Sequence, residues 1–274
     1  MSTWKIRELT IANQVVVAPM AGISNPAFRS ILALYGPGLL TSEMISDKAI
    51  CFNNTKTLDM TKVYPNEHPI SLQLFGEDIE SMVQAAIYLD TQTDCDLIDI
   101  NMGCPVPKIV KGSGGASLLK DPQRAFAIAQ AVVQAVKEPD TAKIRIGWDK
   151  HSLNAIEMAV GLEKAGISAI AVHGRTRSAM YSGDVDYEMI KAVKQAVKIP
   201  VIANGDIKTV EGAKAVLELT GCDAVMIGRG ILGRPWFIKD LVEGLEGQDT
   251  DHVDLKERFR IAKLHASKLI ELKG

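Results

Sequence analysis

The chain has 274 residues, with 31 basic against 33 acidic side chains for a formal charge of −2, and it is 47% hydrophobic but only 5% aromatic. This is an ordinary globular composition whose apolar content lies in Ala, Val, Ile and Leu, which suits a parallel sheet covered by helices and argues against an aromatic-rich sandwich or a base-stacking platform. Near-neutral charge gives no prior for nucleic acid, but it leaves room for a local basic patch.

The N-terminus, Met1 to Leu9, lacks the basic-then-apolar pattern of a signal peptide. Leu9 to Phe28 carries no charge, yet Asn13, Gln14, Pro19, Ser24, Asn25 and Pro26 interrupt it, so it is not a membrane span. Short β-branched runs then recur, each followed by a turn and a stretch of helical spacing. Strands are expected at Val15–Ala18, Leu39–Ser42, Ile70–Leu74, Leu97–Asn101, Ala142–Ile146, Ala169–His173, Val201–Asn204 and Ala224–Gly228. Helices are expected at Ile79–Leu89, Gln123–Val136, Ala155–Ala165, Tyr187–Gln195 and Thr209–Leu219. Strand–helix units in this number predict an α/β fold, a (β/α)₈ TIM barrel over residues 1–243, rather than an open doubly wound sheet. The longest interval follows the fourth strand and holds Asn101-Met102-Gly103-Cys104-Pro105 and Gly112-Ser113-Gly114-Gly115, a turn-rich loop on the catalytic face.

Residues 244–274 are expected to be a polar linker (Gly244 to Asp251) and one helix, Asp254 to Leu272, read as the start of an incomplete C-terminal helical domain. Leu255, Phe259, Ala262, Ala266 and Leu269 repeat at helical spacing and call for a partner surface, while Lys256, Arg260 and Lys263 form either a solvated face or an RNA-facing stripe. Cys51, Cys95, Cys104 and Cys222 form no CxxC pair, which argues for a reducing cytoplasm and against a disulfide framework or a zinc site. Cys51, Cys95 and Cys222 read as small buried hydrophobes. Asn53-Asn54-Thr55 matches a glycosylation sequon by chance, since no secretory signal accompanies it.

Alternation along the fifth strand, Lys143-Ile144-Arg145-Ile146, sends both cations into the barrel, where an unpaired cation is costly unless an anion or strong acceptor meets it. Asp99 and Asn101 share a face of the fourth strand, Ser71 and Gln73 one of the third, and His173 and Asn204 end the sixth and seventh. Polar residues at the inner ends of adjacent strands predict a polar ligand over the barrel mouth. Asn204-Gly205-Asp206 and Gly228-Arg229-Gly230 follow strands seven and eight, where barrels commonly bind phosphate, and Lys143 and Gln73 lie across the mouth. The set fits FMN. Gly112–Gly115 lacks the spacing of a dinucleotide fingerprint. Cys104 lies in a Gly-Cys-Pro turn just past strand four. An unperturbed thiol, with a pKa of about 8.5, is mostly protonated near neutrality and can act as a general acid or a nucleophile.

Ala18-Pro19-Met20-Ala21-Gly22, Ser42-Glu43-Met44, Asp99-Ile100-Asn101-Met102-Gly103-Cys104-Pro105, Lys143-Ile144-Arg145, His173-Gly174-Arg175-Thr176-Arg177, Ala203-Asn204-Gly205-Asp206 and Gly228-Arg229-Gly230 occur in this order. Together they resemble the tRNA-dihydrouridine synthases, most closely their bacterial B-type branch. The resemblance implies an FMN barrel that uses NADPH to reduce the uracil 5,6 double bond in tRNA. Pro19, Met20 and Ala21 would then lie by the isoalloxazine, with Gln73 and Lys143 on its pyrimidine edge and His173 nearby. Asn204, Gly205, Asp206, Gly228 and Arg229 would hold the phosphate. Cys104 would protonate C5 of uracil, Asn101 and Arg145 would hold the uracil edge, and Arg175 with Arg177 would reach RNA. The resembling enzymes carry a multi-helix C-terminal domain, so this chain is expected to be either a truncated version or one that docks tRNA differently, and an exposed apolar face of Leu255, Phe259 and Leu269 favours truncation; monomeric action is expected. The alternatives are an FMN barrel acting on a free pyrimidine, as dihydroorotate or dihydropyrimidine dehydrogenases do, and a catalytically idle RNA-binding or flavin-storing scaffold.

Overall fold

The computed structural model describes residues 3–112, 114–250 and 253–274. Met1, Ser113 of the glycine-rich run and Asp251 of the linker lie outside the described residues. A hairpin of β1 (Trp4–Ile6) and β2 (Leu9–Ile11) precedes eight strands: β3 (Val15–Val17), β4 (Leu40–Ser46), β5 (Ile70–Phe75), β6 (Leu97–Met102), β7 (Asp140–Arg145), β8 (Ala169–His173), β9 (Val201–Asn204) and β10 (Ala224–Ile227). These eight pair in parallel in the order β3-β10-β9-β8-β7-β6-β5-β4. A parallel bridge from Val16 to Leu39, with Val17 N–H donating to Leu39 O at 2.9 Å, brings the ends together as a barrel.

The helices are α1 (Pro26–Leu32), α2 (Asp47–Cys51), α3 (Thr55–Met60), α4 (Ile79–Gln92), α5 (Pro107–Lys111), α6 (Pro122–Ala135), α7 (Ala155–Lys164), α8 (Tyr187–Ala196), α9 (Val210–Thr220), α10 (Phe237–Leu245) and α11 (Leu255–Lys273). Their starts are encoded locally. Asn25, Asp78, Asp121, Asp186, Thr209 and Asp254 each accept a first-turn N–H, and Pro26 and Pro122 follow two of these caps.

Alternation divides the strands between two cores. Outward residues such as Leu72, Ile98, Ile100, Ile144, Val172 and Val225 pack beneath the helices. Inward residues Val16, Leu39, Leu97, Ala169, Ala171, Ile202, Ala224 and Met226 fill the lower lumen, and Ile6 and Ile11 of the hairpin close it from below. That hairpin, unmarked in the sequence reading, is the plug of the barrel. Above the apolar layer the lumen turns polar, with Gln73, Asp99, Asn101, Thr141, Arg145, His173 and Asn204 all buried.

The C-terminal helix forms over the range expected of it. It packs on α1 through buried Ile261 and through His265, whose ring centroid lies 5.6 Å from that of Phe28. Leu255 and Phe259, read as part of an apolar face in want of a partner surface, are exposed, as are Ala262 and Ala266, and Leu269 is half-buried. Ile261, Leu264, His265 and Lys268 form a separate row, Ile261 buried and the others half-buried. On the polar side Arg260 is paired with Glu257 at 2.6 Å.

Candidate active site

The polar upper lumen opens into a cavity of about 480 Å³ at the C-terminal ends of the strands, within the range of small-molecule sites. A depression of equal volume between α6 and α7 lies on the outer surface, lined by Phe126, Val160 and Gly161. The mouth cavity gathers Pro19, Met20, Ala21, Gln73, Asn101, Cys104, Lys143, Arg145, His173, Asn204, Gly205, Asp206, Gly228 and Arg229. Of the residues expected at the site, only Arg175 and Arg177 are absent from its lining. Met44, Tyr181, Lys208 and Leu232 line it too and were not anticipated. Tyr181 comes from an irregular loop where no periodicity flags it, and it sits with the Arg229 guanidinium 4.8 Å and that of Arg145 5.6 Å from its ring centroid.

The loop after β3 is braced at its base. Ser24 Oγ donates to Ala18 O and accepts from Met20 N–H, while Arg29, fully buried, donates to Ser24 O, to Lys62 O and to the Glu67 carboxylate. Across the lumen Gln73 Nε2 donates to Asp99 at 2.6 Å, and Asn101 Nδ2 donates to Gln73 Oε1 at 2.7 Å. Asn101 Oδ1 in turn accepts from the N–H groups of Gly103 and Cys104, which fixes the turn that carries the thiol.

Lys143 donates to Asn204 Oδ1 at 3.0 Å, and Asn204 Nδ2 donates to Met226 O. Asn204 therefore holds the lysine rather than projecting freely toward a phosphate. Burial, with the Arg145 charge beside it, pulls the Lys143 ammonium down to about 8, and Asp99 and Cys104 act against that. His173 is pulled to about 2 by burial and by the cations Lys143, Arg145, Arg175 and Arg229, so its imidazole is neutral. Burial raises the Cys104 thiol, with Val106 N–H, Arg145 and Lys143 opposing, so it keeps its proton at neutral pH. No hydrogen bond joins His173 to Cys104 among the described residues.

Arg145 points inward as alternation requires and lines the cavity, with Nε donating to Gly103 O at 2.9 Å and Nη1 to Thr176 O at 2.8 Å and Met180 O at 2.7 Å, which leaves the Nη2 donors to the cavity side. It ties the Cys104 turn to the loop after β8. Arg175 is a correction. It is 3% exposed, donates to Ser182 O and Gly183 O and pairs with Asp206, so it braces the phosphate-side loop from below and offers no group to RNA. Arg177 stacks at 4.7 Å from the Trp148 ring centroid, with Lys120 at the same distance from that ring. On the phosphate side Gly205 (φ 138) and Asp206 (φ 46) bend sharply after β9. The Asp206 carboxylate accepts from Arg175 and from Arg229 at 2.9 Å, and the Arg175 bond chiefly holds it below the usual range. Its side chain is thereby turned to the two arginines, which leaves only backbone N–H groups of this turn to an incoming anion. Cys95 and Cys222 are buried as expected, whereas Cys51, expected to be buried too, is half-buried.

These residues fit a flavin nucleotide. The cavity runs from the braced β3 loop, past a lysine and two amides, to a glycine turn with Arg229 and Lys208 at the far end. That gives a flat ring an apolar edge and a donor-rich edge, and gives a phosphate a cationic seat. Residues 16–274 match the family model described as dihydrouridine synthase. The chain is 42% identical over 265 residues to tRNA-dihydrouridine synthase B of Shewanella oneidensis, covering 96% of this chain and 82% of that protein. It is 43% identical to the protein of that name from Vibrio vulnificus, covering 98% and 84%. A probable tRNA-dihydrouridine synthase of Rhizobium leguminosarum is 37% identical, covering 92% and 80%. A solved structure of morphinone reductase in complex with tetrahydroNAD shares the fold, with a TM-score of 0.63 at 14% identity over 93% of each chain. The chain belongs to the dihydrouridine synthase family.

Proposed function

We propose that this member of the dihydrouridine synthase family reduces uridines of tRNA to 5,6-dihydrouridine, with FMN as bound cofactor and NADPH as reductant, acting as a cytoplasmic monomer. The observation that carries the reading is Cys104: a protonated thiol on a fixed turn, facing the same cavity as Lys143 and the glycine turns after β9 and β10. Pro19, Met20 and Ala21 would border the flavin ring, with Gln73 and Lys143 on its pyrimidine edge and neutral His173 beside it. Gly205, Asp206, Gly228 and Arg229 would seat the phosphate. Lys143 supplies a positive charge where the reduced ring becomes negative.

When bound, FMN would supply hydride for uracil C6, with NADPH as the source of its electrons. C5 then needs a proton, which Cys104 Sγ donates. The thiolate regains a proton from solvent, so the balance is one hydride and one proton across the double bond. Asn101 lies at the uracil side of the cavity. Its amide is already oriented by Gln73 and by the Cys104 turn. Arg145 shapes this side through backbone carbonyls.

A uracil in folded RNA must leave its stack to enter this cavity, at a cost of a few kcal/mol. Recognition then rests on RNA shape and backbone, and affinity falls with salt. The test is one assay of the purified protein with unmodified tRNA, NADPH and FMN, mapping dihydrouridine by position, with free uracil and orotate as comparison substrates. A protein that lacks flavin absorbance and takes up no FMN, or that turns over free pyrimidines in preference to tRNA, refutes the proposal.

A further inference from the structure

We infer that Asp99 is a positioning residue for Cys104, acting through a one-way chain of hydrogen bonds formed by Gln73 and Asn101; the inference rests on the reading of Cys104 as the proton donor. Asp99 is 6% exposed at the middle of β6 and touches neither the Cys104 turn nor the rim of the cavity. Both its oxygens are acceptors, Oδ1 for the Thr141 hydroxyl and Oδ2 for Gln73 Nε2, each at 2.6 Å. Distances this short mark charge-assisted bonds. Burial raises this carboxyl above its ordinary range, against the opposing pull of Gln73, Thr141 and the charge on Lys143, and the chain is therefore tested at pH 8.

The chain has a direction because both of its ends are committed. At one end a carboxylate can only accept. At the other, the peptide N–H groups of Gly103 and Cys104 can only donate, at 3.2 and 2.9 Å. Two amides stand between them, and each can present nitrogen or oxygen to either side. Only one arrangement satisfies every contact. Gln73 turns its NH₂ to Asp99 and its oxygen to Asn101, and Asn101 turns its NH₂ to Gln73 and its oxygen to the turn. Reversing either amide places oxygen against oxygen or N–H against N–H inside a closed lumen, where an unpaired polar group costs more than a hydrogen bond contributes. Asp99 thus selects the face that Asn101 shows to Cys104, by way of Gln73 on the neighbouring strand β5. Gln73 is held by its backbone as well, its N–H donating to Ser42 Oγ at 3.0 Å, so the chain cannot slide to relieve a mismatch.

A directional chain predicts a rescue that simple packing does not. Asn101→Asp puts a carboxylate at each end of the single Gln73 amide, so its oxygen must face one of them. Adding Asp99→Asn to that variant lets the whole chain reverse: position 99 donates to Gln73 Oε1, Gln73 Nε2 donates to position 101, and position 101 still accepts from the Cys104 N–H. Asp99→Asn alone keeps an acceptor toward Gln73 and should be mild.

The experiment compares the four proteins at pH 8 by thermal midpoint and by amide exchange at Gly103 and Cys104, neither of which needs tRNA or NADPH. Failure here is therefore separate from failure of the functional reading. Asn101→Asp is expected to lower the midpoint and to speed exchange at Cys104 by about tenfold or more, and the double variant to return it to within about threefold of wild type. If Asn101→Asp does not fold and the double variant does, that is the same rescue in its strongest form. The inference is overturned if the double variant melts no higher and exchanges at Cys104 no more slowly than Asn101→Asp, or if Asp99→Asn alone is as damaging.

Discussion

Lys143 carries the most quantitative prediction. Its ammonium falls from an ordinary 10.5 to about 8 because it is buried beside Arg145. The folded-state value lies below the unfolded one, so the unfolded chain holds more protons between pH 8 and 10.5, and stability must rise with pH through that window. At about 1.4 kcal/mol per pH unit the penalty for keeping Lys143 charged is about 3 kcal/mol, trimmed to about 2–3 kcal/mol because the side chain borders the solvent-filled cavity. The penalty is fully present below pH 8 and gone by 10.5. Lys143→Met removes it at every pH. In flavin-free protein the variant should therefore gain about 2–3 kcal/mol on wild type at pH 7, relative to the difference at pH 10.5. Urea unfolding of both proteins at half-unit steps measures this. The groups facing Lys143 are Asp99, Cys104, Arg145 and His173; of these the thiol has its ordinary value inside the window and is raised from it by burial, so both proteins are compared in a Cys104→Ser background. FMN binding should reverse the trend, because an anionic ligand favours the charged lysine. Affinity then falls above about pH 8 in wild type by up to about tenfold per unit, and is flat in the variant. A stability difference that does not change between pH 7 and 10.5 refutes the reasoning.

Four further outcomes follow from the same contacts. Cys104→Ala should retain FMN and its reduction by NADPH but lose about 10²-fold or more in dihydrouridine formation; equal loss of flavin binding would contradict the acid role. Glu67→Gln leaves buried Arg29 without its counter-charge and should cost about 3–5 kcal/mol, read as a shift of the urea midpoint, together with weaker FMN uptake through the loosened Ser24–Met20 bracing. A cost below about 1 kcal/mol would mean the pair is dispensable. Ile261→Ala removes the buried contact of α11 on α1, for about 2–4 kcal/mol, and should speed amide exchange in α11 while FMN uptake is unchanged. Arg145→Lys replaces a three-carbonyl fork by one point donor. Orphaning two carbonyls at about 1–3 kcal/mol each should make residues 176–183 exchange faster and be cut more readily by protease; unchanged protection there would show that the loop holds itself.

The barrel was legible because its signal is local. β8 and β9 begin and end where β-branched runs and Gly turns place them, and the major helices start at Asx or Thr caps that the chain spells out. The inward set was legible from alternation alone, which aimed Lys143, Arg145, Asn101 and Gln73 at one space. What stayed hidden depends on contacts distant in sequence. The hairpin plug is two three-residue strands whose value lies in Ile6 and Ile11 meeting Leu97 and Ala224. The packed face of α11 could not be chosen between two apolar rows without α1. Asp99 was visible on the right face of its strand, but its reach to Cys104 passes through Gln73 on another strand, paired with it in register.

The three arginines show most sharply why residue type and address do not fix a role. Arg145, Arg175 and Arg177 stand near the ends of neighbouring strands, the first read as a contact for the uracil edge and the other two as contacts for RNA. A guanidinium, however, carries five donors in a planar fork and can be consumed by backbone carbonyls wherever a loop folds back over it. That happens in part to Arg145, whose Nε and Nη1 hold the Cys104 turn and residues 176 and 180 together. It happens also to Arg175, which serves Ser182, Gly183 and Asp206. Arg177 escapes because an indole, not a carbonyl, meets its flat face, and a ring satisfies the charge without occupying every N–H. The loop after β8 is thus held from below by two arginines and presents the third. The cations it withdraws from solvent are the ones that shape the cavity, which leaves RNA attraction at its edge to groups such as Lys208 and the exposed side of Arg229. A near-neutral chain can then run an anionic substrate into its mouth, since each phosphate contact needs only a cation placed at the rim, not a large net charge.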